Sequence, residues 1–333
     1  MSPQSPCPAR LDAARWLAAF AVVMLHSAAQ TVSDPTGYAS QGWLAANLYD
    51  SAARWCVPVF VMISGALLLD PGRNQPAGEF YRRRLARIQW PLAFWTLFYL
   101  SWSTLRADGL DLSFWPQKIA QGQPYYHLWY LYMIVGLYAA APAVRLLYAR
   151  GSPASRSFWT LAILGVATLD SLYRQALDAG PGFFLTWFLP YLGYFLAGRL
   201  IFEGQWRLPR PGLITLAGIA LTAAGVVWLS DSQTLNLYFY DYFSLTVPLT
   251  SLAAFQCFVQ ARALPRLPAL APLTFGIYLI HPALLDLFER NVPAAGQGAA
   301  AFWRLPLLAS AVFLLSAALS WCLRRHPLTR RFI

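Results

Sequence analysis

Long apolar stretches alternate with short polar ones from one end of the chain to the other. A helix needs about 20 apolar residues to cross the hydrocarbon layer. Such stretches are predicted near residues 11–32, 51–69, 88–106, 127–148, 158–173, 183–202, 212–230, 242–260, 272–289 and 302–323. Asp170 interrupts the fifth and His281 the ninth. The stretch 107–126, with Trp115, Pro116 and Pro124, is too polar to span and reads as an outer loop at the interface. Lipid offers the backbone no hydrogen-bond partner, so the spans are expected to be helices. The predicted fold is an all-α membrane protein of about ten transmembrane helices in one bundle. Residues 1–333 form a single membrane domain with no appended soluble domain. No internal repeat is visible. The run starting at Leu11 lacks a small-residue cleavage site followed by a polar mature region, so it is expected to stay as a span rather than be removed as a signal peptide.

Composition agrees with the pattern. Hydrophobic residues make up 58% and charged residues 12% of the 333 positions, against roughly 25% charged in soluble proteins. This excludes a disordered chain, a collagen, a coiled coil and an ordinary soluble enzyme. The formal charge of +11 comes from basic residues clustered between the apolar runs, with Lys118 the single lysine. With the N-terminus placed in the cytoplasm, nineteen basic residues fall in inner segments and six in outer ones. That is the bias of cytoplasmic loops, and it predicts both termini inside. It also removes the case for nucleic-acid binding, because no soluble basic domain remains. Cys7, Cys56, Cys257 and Cys322 form no CxxC pair and no zinc spacing, so they read as single thiols and no metal is expected.

Ionisable groups within spans are costly and mark candidate function. In the first span Arg15 and His26 are eleven positions apart and nearly eclipsed on a helical wheel, with Asp12 within about 60° of both. Arg15 lies near the cytoplasmic surface. His26 lies roughly 16 Å further along the axis, past the midplane. An imidazole titrates near neutral pH, so His26 is read as a general base, against the plainer reading of a buried neutral ring. Asp12 is placed to pair with Arg15 at i+3. Arg82, Arg83, Arg84 and Arg87 form a second basic cluster, suited to a ligand with several phosphates. Packing roles suit Ser64 and Gly65. His127 and Trp129 begin the fourth span at the outer face, where an aromatic belt accounts for Trp129 and His127 is placed to touch an acceptor. Tyr278 and His281 lie mid-span, where Pro282 is expected to bend the helix. His281 and Asp286 have HxxxxD spacing, but five helical positions put the two side chains about 140° apart.

Several segments together give the chain a family likeness. They are Leu11-Asp12-Ala13-Ala14-Arg15 leading to His26; Arg54 with Val57-Pro58-Val59-Phe60 and Ser64-Gly65; Arg84-Leu85-Ala86-Arg87-Ile88 with Pro91; His127-Leu128-Trp129-Tyr130-Leu131; and Phe275-Gly276-Ile277-Tyr278-Leu279-Ile280-His281-Pro282. In order and spacing the chain resembles the acyltransferase-3 family of bacterial integral-membrane O-acyltransferases, most closely its surface-polysaccharide acetylating branch. The resemblance implies a multi-pass protein of the bacterial inner membrane. It implies acyl-CoA, usually acetyl-CoA, as a cytoplasmic co-substrate, and a sugar hydroxyl of an exported or lipid-linked glycan as acceptor. It assigns the functional arginines to Arg15, Arg84 and Arg87 and the functional histidine to His26. The esterase-like domain that some relatives carry is not expected here.

Combining the two lines, the cytoplasmic arginines hold the coenzyme A phosphates, with Arg82 and Arg83 as weaker contributors. The pantetheine arm brings the thioester to His26. His26 either deprotonates the acceptor hydroxyl or is itself acylated and relays the group. Asp12, Ser64 and Tyr278 are supporting residues; Arg54, His127, Trp129 and His281 are acceptor-side candidates. No permanently bound cofactor is expected. The rival readings are a transporter or flippase for a glycan or its lipid-linked precursor, and a catalytically inactive relative serving as a receptor or assembly subunit.

Overall fold

The computed structural model describes residues 8–72, 75–106, 112–177, 183–261, 270–291 and 295–333. Cys7, Arg73, Arg262 and Arg266 lie outside the described residues. Every regular element described is helical: α1 (Pro8–Val32), α2 (Gln41–Ala53), α3 (Cys56–Leu68), α4 (Ala77–Arg106), α5 (Trp115–Ala120), α6 (Trp129–Arg150), α7 (Pro153–Leu177), α8 (Phe188–Phe202), α9 (Pro211–Leu229), α10 (Val247–Gln260), α11 (Thr274–Asn291) and α12 (Ala301–Arg325), with short 3-10 turns between some of them.

Among the described residues, seven segments are long and apolar enough to cross a membrane: α1, α2 with α3 (Gln41–Leu68), α6, α8 with its preceding turn, α9, α11 with its preceding turn, and α12. Three of the expected ten spans fall short of that standard for visible reasons. In α4 the expected span 88–106 is diluted by Gln89, Pro91, Thr96, Ser101, Ser103 and Thr104; α7 carries Arg156, Asp170 and Arg174; α10 has 14 residues. The second span also begins earlier than expected. Helix α2 extends it back to Gln41, and a short turn at Arg54 and Trp55 separates α2 from α3. Gln41, Asn47 and Asp50 hid this part among polar residues, yet Asn47 and Asp50 are buried. Within 107–126, expected to be an interfacial loop, the described part contains the one-and-a-half-turn helix α5 with Pro116 in its first turn.

The outward faces are apolar, as in a protein dissolved in lipid. Leu161, Leu169, Leu221 and Trp228 are exposed on α7 and α9. The interior is built on α1, which packs against α2, α3, α10, α11 and α12. Small residues on its buried side (Ala13, Ala14, Ala18 and Ala28) let those helices approach closely. A second close approach joins α3 and α8. A Cβ at Gly65 would overlap the carbonyl of Phe195, and one at Gly198 the carbonyl of Met62. Gly65 therefore has the packing role read from the sequence. Ser64 does not bond across helices: its hydroxyl donates back to the carbonyl of Phe60, 3.1 Å away.

This contact supplies a stability test. Gly198→Val forces two backbones apart, whereas Gly165 on α7 has open space where a Cβ would go. Overpacking costs about 1–3 kcal/mol or more. The thermal midpoint of the detergent-solubilised protein is expected to fall clearly for Gly198→Val and to stay within about a degree for Gly165→Val.

The first turn of α1 and the C-terminal segment lie at one end of the bundle. The Arg10 guanidinium donates to the carbonyl of Val259 in the last turn of α10, 3.0 Å away. Ile333 packs beside Gly276, in the first turn of α11. The C-terminal segment is tied to α4, where Trp95 Nε1 donates to the Phe332 carbonyl at 2.8 Å and Phe94 stacks on the Phe332 ring at 4.8 Å. Cys56, Cys257 and Cys322 are free thiols.

Candidate active site

Three of the chain's four histidines converge. Helix α1 delivers His26, the turn before α6 delivers His127, and α11 delivers His281. The His26 and His281 rings stack with centroids 5.3 Å apart, and the His127 and His281 rings meet edge to face at 5.7 Å. The Tyr126 ring lies 4.9 Å from that of His26, tilted against it. His127 and His281 are fully buried, whereas His26 is half-buried. Two of the four residues expected at the acceptor side, His127 and His281, thus cluster with the expected base.

Local chemistry orients these rings. His281 Nδ1 lies 3.1 Å from the carbonyl of Ile277, one turn back on α11. A carbonyl oxygen can only accept, so Nδ1 carries the proton; in the neutral ring Nε2 then holds a bare lone pair. The next residue, Pro282, has no N–H to offer the carbonyl of Tyr278. Tyr278 in turn donates its hydroxyl to the His127 carbonyl, 2.6 Å away. Among the described residues, His281 Nε2 and both ring nitrogens of His127 have no hydrogen-bond partner. Unpaired buried polar atoms are costly, at about 1–3 kcal/mol each. They are tolerated where function requires them, which marks this cluster as the candidate site. Among the described residues no group of three or more His, Cys, Asp or Glu side chains is placed to hold a metal ion.

A carboxylate clamp holds Tyr126 over His26. Asp286 Oδ2 accepts from Trp102 Nε1 at 2.7 Å and from the Tyr125 hydroxyl at 2.5 Å, and it pairs with Arg106. Tyr125 stacks on Tyr99 at 4.5 Å and packs against Tyr126 at 4.7 Å. Tyr99 is pinned to α11 by its hydroxyl, which donates to the Leu279 carbonyl at 2.7 Å. Asp286 and His281 therefore serve different neighbours, in keeping with their separation on the helical wheel. On the same side the Gln30 amide, oriented to donate, reaches the Glu289 carboxylate at 3.1 and 3.2 Å. Sequence reasoning missed Tyr125, Tyr126, Arg106 and Glu289, and it set Asp286 aside with the HxxxxD spacing. The available signal was Tyr125-Tyr126 immediately before His127, which the reading of 107–126 as an outer loop passed over.

Aromatic rings run from the histidines towards the basic residues. Tyr278 lies 5.2 Å from His127 and 5.6 Å from Tyr130. The Arg84 guanidinium sits 5.1 Å from the Tyr138 ring and 5.5 Å from Phe80. Arg15 is paired with Asp12 as expected. Arg83 pairs with Glu79, and Arg82, Arg83 and Arg87 are exposed. The structure thus seats Arg84 beside aromatic rings and leaves Arg82, Arg83 and Arg87 on the surface. Arg54, at the α2–α3 turn, pairs with the fully buried Asp50. It also donates to the Tyr240 carbonyl at 3.1 Å and lies 4.1 Å above the Tyr240 ring.

Two cavities open in the bundle. One, of about 800 Å³, lies between α7, α8 and residues 241–243, with Trp129 in its wall. The other, of about 420 Å³, lies between α4, α6 and α8. Neither is lined by His26, Arg15, Arg84 or Arg87.

A multi-pass helical membrane protein is thus defined, with an imidazole cluster enclosed in its bundle. The model of the acyltransferase-3 family, described as an acyltransferase domain, matches residues 9–325, and the chain belongs to that family. It is a membrane acyltransferase. Neither a curated protein nor a solved structure matches the chain.

Proposed function

We propose that the protein transfers an acyl group, in the first instance acetyl, from cytoplasmic acyl-CoA to a sugar hydroxyl of a surface polysaccharide or lipid-linked glycan, in the plasma membrane of a bacterium. The observation that carries this reading is the placement of His26. It is the partly open member of the histidine cluster, on the same helix as Arg15 and roughly 16 Å along the axis from it.

His26 accepts the proton of the acceptor hydroxyl as its oxygen attacks the thioester carbonyl. The carbon–oxygen bond forms, the carbon–sulfur bond breaks, and the departing thiolate takes the proton back from His26. Base catalysis contributes about 10²–10⁴-fold, so positioning of the two substrates supplies much of the remainder. Arg15 and Arg84, with Arg87, Arg82 and Arg83 at the surface, hold the coenzyme A phosphates. Asp12 holds Arg15, while Tyr278, Arg54, His127, Trp129 and His281 shape the acceptor side, and Ser64 supports α3. In this reading α4, α7 and α10 also cross the membrane, giving ten spans with both termini in the cytoplasm. The loop-by-loop alternation of basic residues supports that count.

The direct test follows labelled acetyl from acetyl-CoA in membranes and with purified protein, and weighs surface glycans for an acetyl increment on expression. Failure of the purified protein to bind CoA would favour glycan transport instead. Within the same experiment Arg84→Ala and Arg87→Ala are expected to raise the Kd for CoA roughly tenfold each, the value of one charge-assisted phosphate contact. Leu85→Ala, an exposed neighbour, is expected to leave it unchanged.

A further inference from the structure

Helix α4 is held by different neighbours along its length. Its first half, with Arg82, Arg83, Arg84 and Arg87, is tied to α6: the Tyr81 hydroxyl donates to the Ala139 carbonyl at 2.9 Å, and Arg84 lies over the Tyr138 ring. Its second half is tied to α11 through Tyr99, Trp102 and Arg106. Between the two stands Pro91. Proline has no N–H, so the carbonyl of Arg87, four residues back, loses its helical bond, and the helix is weakest between its two anchorages. Residues 326–333 close on that place. The chain leaves α12, turns back through an exposed stretch at His326, Pro327 and Leu328, and enters the bundle as the 3-10 turn Thr329–Phe332. The Thr329 hydroxyl fixes this turn to α12 by donating to the Leu323 carbonyl. One helical turn beyond Pro91, Trp95 Nε1 donates to the Phe332 carbonyl and Phe94 stacks on the Phe332 ring. Buried Ile333 joins Trp95 of α4 and Leu279 of α11 in one apolar cluster and lies beside Gly276.

We infer that Phe332 and Ile333 are positioning residues: with Trp95 they form a clasp that fixes the bend of α4 and so sets where Arg84 and Arg87 stand relative to the histidine cluster. The inference rests on the reading of those arginines as donor-binding residues. The clasp closes at the turn of α4 that proline weakens, where a change of angle moves the arginines most. Arg84 lies seven positions before Pro91, so a swing of about 10° there displaces it by roughly 2 Å. A misplacement of about 1 Å is already enough to damage a reaction that depends on positioning. The second half of α4 has its own bonds to α11, so the clasp acts chiefly on the half that carries the arginines. The clasp also has a direct line to the imidazoles. Trp95 packs on Tyr99 at 5.7 Å, and Tyr99 meets the His127 ring edge to face at 4.8 Å. Trp95 is therefore the point where the place of the arginines is set against the place of the rings.

The test uses the full chain in lipid nanodiscs and two readouts. Titration with CoA gives the Kd and the number of binding sites separately. Pulsed electron paramagnetic resonance gives the distance between spin labels at Leu85→Cys on α4 and Leu319→Cys on α12, both exposed positions, with the four native cysteines replaced by alanine. Phe332→Ala is expected to raise the Kd for CoA roughly fivefold, the value of one stacked aromatic pair, to leave the number of sites unchanged, and to broaden the label distance. Phe332→Tyr keeps the stack and restores both readouts. In a Pro91→Ala background, where the helix regains its bond to the Arg87 carbonyl, Phe332→Ala is expected to change neither. A variant that merely folds less well has fewer sites at unchanged Kd and unchanged distance. That result, or an effect equal with and without Pro91, overturns the inference. If the native protein binds no CoA, the donor reading falls and the distance alone decides the clasp: broadening in Phe332→Ala keeps it, and an unchanged distribution removes it.

Discussion

His26→Ala is expected to abolish acetyl transfer while leaving CoA binding within about twofold of the native value. The loss should reach about 10²–10⁴-fold, the range for removing a positioned general base. The ring neighbours of His26 include Tyr126 and His281, and Arg15 lies roughly 16 Å away along the helix. A defect in folding would lower both readouts together, so the split between transfer and CoA binding separates chemistry from stability. His26→Gln keeps a polar side chain of similar reach without an imidazole's basicity and should be equally inactive. Transfer that persists in His26→Ala would remove the base assignment and direct attention to His281, whose Nε2 carries a bare lone pair a few ångströms away.

Asp286→Ala should give the second-largest effect, on stability and turnover together. One carboxylate oxygen gathers Trp102, Tyr125 and Arg106, which come from α4 and the turn before α6. Removing it strands three donors, two of them in the aromatic layer. The expected loss is about 2–4 kcal/mol, below that of a fully buried ion pair because Arg106 is one-third exposed. Asp286→Asn keeps an acceptor for Trp102 and Tyr125 and should recover much of the stability. If Asp286 matters through Tyr126, both variants lower kcat without changing the KM for acetyl-CoA. An unchanged kcat at lowered thermal stability would mean that the clamp serves the fold and not the site.

The site was partly legible from the chain and partly not. His26 and Arg15 stood out because charge within an apolar run is costly, and cost is visible in a sequence. Gly65 was legible for a related reason: a residue without a side chain inside a span permits close approach, and α8 makes use of it. Tyr125 was not legible, and Asp286, though a carboxylate inside a span, was visible only beside His281, which is not its partner. Only folding brings together positions 102, 106, 125 and 286. The beginning of the second span was misread for the opposite reason. Asn47 and Asp50 looked like loop residues, but Tyr240, from far along the chain, bonds Asn47, and Arg54, one turn on, pairs with Asp50 inside the bundle.

The sequence alone determined the solvent of this protein and the helical form of its spans, because hydrocarbon rejects unpaired backbone and charge whatever the tertiary arrangement. The tertiary structure decided which polar groups meet. Three imidazoles from positions 26, 127 and 281 share one enclosure, and Asp286 secures the tyrosines above them. Such encounters depend on the packing of helices far apart in the chain, and no local pattern of residues encodes the angle at which two helices cross.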